Sequence, residues 1–323
     1  NPSLKWQNTV EHNFGLDLGL LNRFTLNFNY YRKTTENLLS DAYLPLSHGY
    51  TTYKENLGEI RNTGYDLSLS YTILRYSNDR PIDWSIRAGF YHNTNVLVKL
   101  SEAIKKANEF YSNSNYSGGT INEYREGQSL DEIYVLQSAG VDPQTGKRLY
   151  IDTDGTITMN ASGLNKVAVG SSQPKINGRF GTGLRWKGLN VDLSFGARIG
   201  GKKLNSTLMS KVENAVVIYN QDRRVISQRW RNPGDVTAFK SLSGEIDNSF
   251  PNNLFVFTEN TFTFNNANIS YDFPLSWIQR FGMSRLSIGG SLSDIFYISN
   301  IKQERGTDYP YSIKPTFTFS CTF

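Results

Sequence analysis

The sequence predicts an all-β chain built as part of a transmembrane antiparallel β-barrel. Nine stretches alternate strictly between apolar and polar residues, several of them run to about ten residues or more, and the connections between them are alternately short and long. Successive side chains of a strand point to opposite faces, so a sustained period of two marks a strand between two different surroundings. A soluble sandwich alternates in the same way, but its strands usually run about five or six residues. Strands near ten residues can cross a bilayer at a tilt.

Composition agrees. Of 323 residues, 38% are hydrophobic and 13% aromatic, which is ample apolar material to bury. A mean hydropathy of −0.46, with no run of about eighteen apolar residues, excludes a transmembrane helix. It does not exclude a barrel, whose strands present apolar residues on one face only. The net charge is +5 and the basic residues are scattered, so no basic stripe points to nucleic acid. Cys321 is the single cysteine, which rules out an intrachain disulfide and a cysteine metal site.

The first strand is expected over residues 5–20, where Trp6, Val10, Phe14, Leu16, Leu18 and Leu20 share one phase and Lys5, Glu11, Asn13 and Asp17 the other. A tight turn at 21–23 leads to 24–33, with Phe24, Leu26, Phe28 and Tyr30 on one face and Thr25, Asn27, Asn29 and Tyr31 on the other. After a loop region of about 35–56 the pattern returns over 61–74, and a short turn at 78–81 precedes a strand from Ile82 in which Trp84, Ile86, Ala88 and Phe90 alternate with Ser85, Arg87, Gly89 and Tyr91. Residues from about 95 to 174 show no sustained alternation and are expected as a large loop region. Strands resume at 176–186 and, across Lys187-Gly188, at 189–199. A third loop region, about 200–260, precedes strands at 261–273, 285–297 and 312–323, the first with a phase slip at Asn265-Asn266 that predicts a β-bulge.

Short turns at one end and long loops at the other are the outer-membrane pattern, with the long loops outside the cell. No signal peptide opens the chain, and the strand count is odd. An open sheet in lipid would leave two edges of unpaired backbone groups, each costing several kcal/mol. The missing strands are therefore expected from an absent amino-terminal portion of the same protein.

Several segments resemble one family. Asn56-Leu57-Gly58-Glu59-Ile60-Arg61-Asn62-Thr63-Gly64-Tyr65-Asp66 is similar to the N-x-G-x-I-x-N-x-G-[FY]-[DE] segment of SusC/RagA TonB-dependent importers of the Bacteroidetes outer membrane, and Asn1-Pro2-Ser3-Leu4-Lys5-Trp6 to their N-P-x-L-K-W. Arg125-Glu126-Gly127-Gln128-Ser129, Val141-Asp142-Pro143-Gln144-Thr145-Gly146, Val169-Gly170-Ser171-Ser172-Gln173-Pro174-Lys175 and Arg229-Trp230-Arg231-Asn232-Pro233-Gly234-Asp235 follow in the family's order. The resemblance implies about the last nine strands of a plugged barrel of about twenty-two. It implies active import of an oligosaccharide, or alternatively an oligopeptide, under a SusD-like surface lipoprotein lid. TonB would act through the plug domain and TonB box, both absent from this chain. A non-transport adhesin or structural barrel is the rival reading.

Phase and height select the residues that can meet a cargo. Tyr31 and Tyr91 fall on the polar, lumen-facing phase near the outer strand ends, and Asn93 and Asn95 continue that face. Flat rings with a polar tip suit sugars or peptide side chains, as they suit packing against a plug. Trp230, between Arg229 and Arg231, lies in a long loop where it either binds ligand or anchors the loop; Tyr111, Tyr116 and Tyr124 carry the same two readings. Trp6, Trp84 and Trp186 share the lipid-facing phase near strand ends and read as interface girdle residues.

No catalytic residues, cofactor or metal site are expected. Of three histidines, His12 and His92 fall on the lipid-facing phase and His48 lies in a loop without an acid or nucleophile beside it in sequence. Asp152-Thr153-Asp154-Gly155-Thr156 looks like the start of a calcium loop but lacks its further ligands. A hairpin turn between 148–151 and 156–158 accounts for it. Gly118-Gly119 and Gly289-Gly290 have no phosphate-loop context. The last strand, with Ile313, Pro315, Phe317, Phe319, Cys321 and Phe323 in one phase, closes the barrel seam, and its terminal aromatic resembles the signal read by outer-membrane assembly machinery.

Overall fold

The computed structural model describes residues 4–43, 52–102, 104–105, 124–216, 218, 223–242, 249–301 and 312–323. His48, Tyr111, Tyr116, Gly118-Gly119 and the opening Asn1-Pro2-Ser3 lie outside the described residues.

Nine strands form one antiparallel sheet in the order β1 (Asn8–Leu20), β2 (Phe24–Tyr43), β3 (Thr52–Leu74), β4 (Ile82–Leu100), β10 (Ile176–Trp186), β11 (Leu189–Leu204), β12 (Val256–Asp272), β13 (Arg285–Ser299) and β14 (Thr316–Thr322). Five short strands lie between β4 and β10. Of these β5 (Glu132–Val135) pairs with β9 (Val167–Ser171), and β6 (Gln137–Val141), β7 (Arg148–Ile151) and β8 (Ile157–Thr158) form a three-stranded sheet. Among the described residues no helix is long and apolar enough to cross a membrane.

Register keeps the two phases on separate faces across the whole sheet. Asn13 lies opposite Tyr31, Tyr31 opposite Gly64, Gly64 opposite Asn93, and Asp66 opposite Tyr91. From there Tyr91 faces Asn177, and Asn177 faces Arg198. All of these belong to the polar phase. Leu18, Leu26 and Leu69 line up on the other face, as do Ala88, Phe180 and Phe195. Phe195 stacks on Phe264 at 4.6 Å between ring centroids, which continues the apolar face into β12. A one-residue slip would turn every apolar side chain to the wet face, so this pattern fixes the register.

The short connections are at one end. Leu21 and Asn22 (φ 54° and 50°), in the three-residue turn 21–23, and Lys187 and Gly188 (φ 47° and 89°), a two-residue hairpin turn, take left-handed conformations. Ser77 and Arg80 close the third turn, and the short helix Leu275–Ile278 forms the fourth. The bulge at Asn265 is present: the register of β12 shifts between Phe264 and Asn266 against β13, and at the same place against β11.

The strands outrun their expected ends at the other side of the sheet. β2 continues to Tyr43, β3 begins at Thr52, β4 reaches Leu100, β11 reaches Leu204 and β12 begins at Val256, so the loop regions 35–56, 95–174 and 200–260 are narrower than the sequence suggested. The last strand is shorter, Thr316–Thr322. The reason is a change of surroundings along each strand. Asn93 and Asn95 share their face with Leu97, which is fully buried with Leu57, Leu100 and Ile104 beneath Tyr124 and Leu130. Where an outer loop covers the polar phase, that phase becomes apolar and the period of two disappears from the sequence.

Candidate functional site

The polar face of β1–β4 carries the first cluster. Tyr31 crosses its neighbour strand at Gly64, where a Cβ would run into the tyrosine ring and the carbonyl of His92. Lacking a side chain, Gly64 lets the ring lie flat and reach two strands over. The Tyr31 hydroxyl donates to Asn93 Oδ1 at 3.2 Å and Asn93 Nδ2 donates to Asn62 Oδ1 at 3.3 Å. Glu11, Asn13, Asn29, Lys33 and Asp66 border this recess. Gly64→Val should remove the seat of Tyr31 and overpack the sheet, at a cost of about 1–3 kcal/mol. Urea unfolding in micelles checks this, with Tyr31→Ala as the comparison that loses the ring without the clash.

Tyr91 heads the adjoining recess. Its ring lies under the Arg179 guanidinium at 5.7 Å from the centroid, a cation–π contact. Nearer the short turns, Arg87 donates to Asp192 at 2.5 Å across β10, on a well-solvated part of the same face.

Asn95 and Trp230 are placed differently from these three. Asn95 is buried. Its Oδ1 accepts from Ser129 Oγ (2.7 Å) and the Leu130 N–H (2.8 Å), and its amide donates to Asp131. Trp230 donates from Nε1 to the Pro143 carbonyl at 2.8 Å and lies against Gly146, where a Cβ would overlap its ring. Both side chains are spent in holding outer segments to one another. Tyr124 packs against the Leu57 and Leu97 cluster. Asp152–Gly155 is a hairpin turn, with the Asp152 N–H donating to the Thr156 carbonyl at 2.9 Å and Gly155 at φ 87°.

The two long loops form one external unit around buried charges. Arg148 donates from Nε (3.0 Å) and from a terminal nitrogen (2.7 Å) to Glu213 Oε1, with both side chains almost fully buried. Glu213 also accepts from Ser249 Oγ (2.7 Å), and Arg229 donates to the carbonyls of Val225 and Lys240, each at 2.7 Å, and to that of Val212. Glu213 ends a six-residue π-helix, Leu208–Glu213, whose first turn is capped by Asn205 Oδ1 accepting from the Leu208 N–H at 2.9 Å. Val212, Phe239 and Phe255 form the small apolar core beside it.

Two carboxylates outside the membrane-spanning part hold exposed turns. Backbone N–H donation from Asn232 (2.9 Å) and Arg231 (3.0 Å) keeps Asp235 below the usual carboxylate range, and the Thr145 hydroxyl, with the Gln144 and Thr145 N–H groups, does the same for Asp142. A depressed carboxyl contributes stability above its unfolded pKa, about 4, and loses it as pH falls through that value and the lower folded one. Between pH 7 and pH 3 the segment 226–242 should therefore lose protection, measured against the intrinsic exchange rate at each pH, while the strand amides of β10 and β11 do not.

Similarity to known proteins agrees with this architecture. The chain is 28% identical over 228 residues to TonB-dependent receptor P3 of Formosa agariphila, covering 65% of this chain and 22% of the relative. It is 26% identical over 176 residues to TonB-dependent receptor SusC of Bacteroides thetaiotaomicron, covering 50% of this chain and 16% of the relative. Among solved structures, the RagAB peptide transporter superposes over 93% of this chain and 32% of that chain, with a TM-score of 0.72 at 23% identity. The chain is SusC/RagA-like. Its nine-stranded sheet is outer-membrane β-barrel wall, with the apolar phase toward lipid and the polar phase toward the lumen. It spans about a third or less of the relatives it matches. No family model matches the chain.

The Trp residues fit this membrane frame: Trp84 and Trp186 are exposed on the apolar face beside the short turns, and Trp6 is exposed near the outer end of β1. Arg179 and Asn177 escaped the sequence reading. The alternation marked their phase, but only the register sets them beside Tyr91.

Proposed function

We propose that this chain is the carboxyl-terminal portion, about nine of about twenty-two strands, of a TonB-dependent importer that carries an oligosaccharide across the outer membrane. Tyr31, Tyr91 and Asn93 face the cargo from the lumen wall, while Asn95 and Trp230 act on it indirectly by fixing the outer loops. A SusD-like lipoprotein closes over the loop unit, and TonB pulls on a plug supplied outside this chain. The rest of the barrel closes the sheet against lipid. The observation that carries the reading is the continuous polar face on which Tyr31 and Asn93 are hydrogen-bonded and Tyr91 stands in the next recess. Flat rings with hydroxyl tips and amide side chains are the chemistry that takes sugar rings and their hydroxyls. The second reading is an oligopeptide importer, which the extent of the fold match to a peptide transporter favours.

Uptake of a fluorescent oligosaccharide and of a fluorescent oligopeptide by cells carrying Tyr31→Ala with Tyr91→Ala is the test. Sugar uptake that a proton uncoupler abolishes and the double variant lowers about tenfold supports the first reading. Loss confined to the peptide supports the second, and uptake of both at unchanged rates leaves neither standing.

A further inference from the structure

The recess beside Tyr91 holds positive charge that the fold leaves unspent. It has a volume of about 340 Å³ and no acidic residue lines it. Arg179 lies over the Tyr91 ring, and among the described residues no carboxylate lies within ion-pair distance of it. Arg198, on the neighbouring strand, reaches Glu259 only at 3.9 Å, while Lys203 holds the same carboxylate at 2.9 Å. Asn177 lies opposite Arg198 in the register, is 8% exposed, and lines the recess. Opposite Arg179 stands Gly196, and the Thr263 hydroxyl and Asn265 amide of β12 lie over it where a side chain would sit.

A guanidinium held by an aromatic face keeps its planar fork of donors free for a carboxylate or sulfate. We propose that Arg179, Arg198 and Asn177 form an anion subsite on the lumen wall, taking a carboxylate or sulfate group carried by an acidic oligosaccharide. The inference rests on the importer reading above and narrows its cargo. The Tyr91 ring holds Arg179 in place from below, Arg198 closes the other side, and the Asn177 amide donates between them.

The test uses the receptor purified from outer membranes in the form the cell makes, with three labelled probes of one chain length: a neutral galacto-oligosaccharide, its galacturonate counterpart and its sulfated counterpart. Wild-type receptor should retain one of the anionic probes at least about tenfold better than the neutral one, about 1.4 kcal/mol. Arg179→Ala with Arg198→Ala should abolish that difference while neutral-probe binding persists, and Arg179→Lys with Arg198→Lys should restore part of it. Whichever anionic probe is held better identifies the group. The inference is overturned by equal retention of all three probes, by retention of neither anionic probe, or by a double variant that loses every probe alike, since that last result means the arginines hold the wall together. Neutral binding without anion preference would leave the importer standing and remove only this subsite.

Discussion

Replacing Glu213 with alanine should detach the two outer loops from each other, at a cost of about 3–5 kcal/mol to the loop unit. The magnitude follows from what remains: Arg148 is buried in the folded state and loses the carboxylate that takes two of its donors, while its other terminal nitrogen already has no partner. Ser249 loses its acceptor at the same time. The barrel strands meet this unit only at their outer ends among the described residues, where Leu204 of β11 packs against the Val212–Phe239–Phe255 cluster, and their membrane-spanning parts should keep their protection. Limited proteolysis of the micelle-solubilised receptor reads both effects, with early cleavage expected within 205–255 and an intact strand core. Replacing both partners by apolar residues, Arg148→Met with Glu213→Leu, should be far milder, because no stranded charge is left. Equal protease resistance of Glu213→Ala and the parent would show that the ion pair does not hold the loops.

Phe317→Lys should cost about 2–4 kcal/mol of folding stability in lipid. Phe317 is 84% exposed on the apolar phase of β14, opposite Gly290 and well away from the short-turn end of the strand pair. Thr318→Lys, one residue on and facing the lumen, should cost much less. Folding into vesicles, followed by the shift in electrophoretic mobility of folded barrel, distinguishes the two. Equal costs at both positions would contradict the assigned faces.

The sequence was most readable where the two faces of a strand meet different media along its whole length. Ile176–Trp186 is recovered to the residue, and the Asn265 bulge shows as a phase slip because one extra residue inverts the alternation. It was least readable above the membrane, where Ile60 and Leu97 occupy the lumen phase but are buried by covering segments. The family-like segments have a physical reason that spacing alone could not give, since they bind one another. Asn56 accepts from the Lys5 N–H at 2.8 Å and donates to the Lys5 carbonyl at 3.0 Å. Pro143 accepts from Trp230 Nε1 and from the Gly234 N–H, both at 2.8 Å. Partners so far apart in the chain are set by topology, which is why Trp230 could be read in sequence either as a ligand-binding ring or as an anchor.

The measurement that bears most directly on the account is the intact mass of the native, detergent-extracted assembly, with its co-purifying chains identified. A species larger than this sequence alone is expected, bringing plug and further barrel strands and a surface lipoprotein. A lone 36.6 kDa species, folded and stable in detergent, would contradict it.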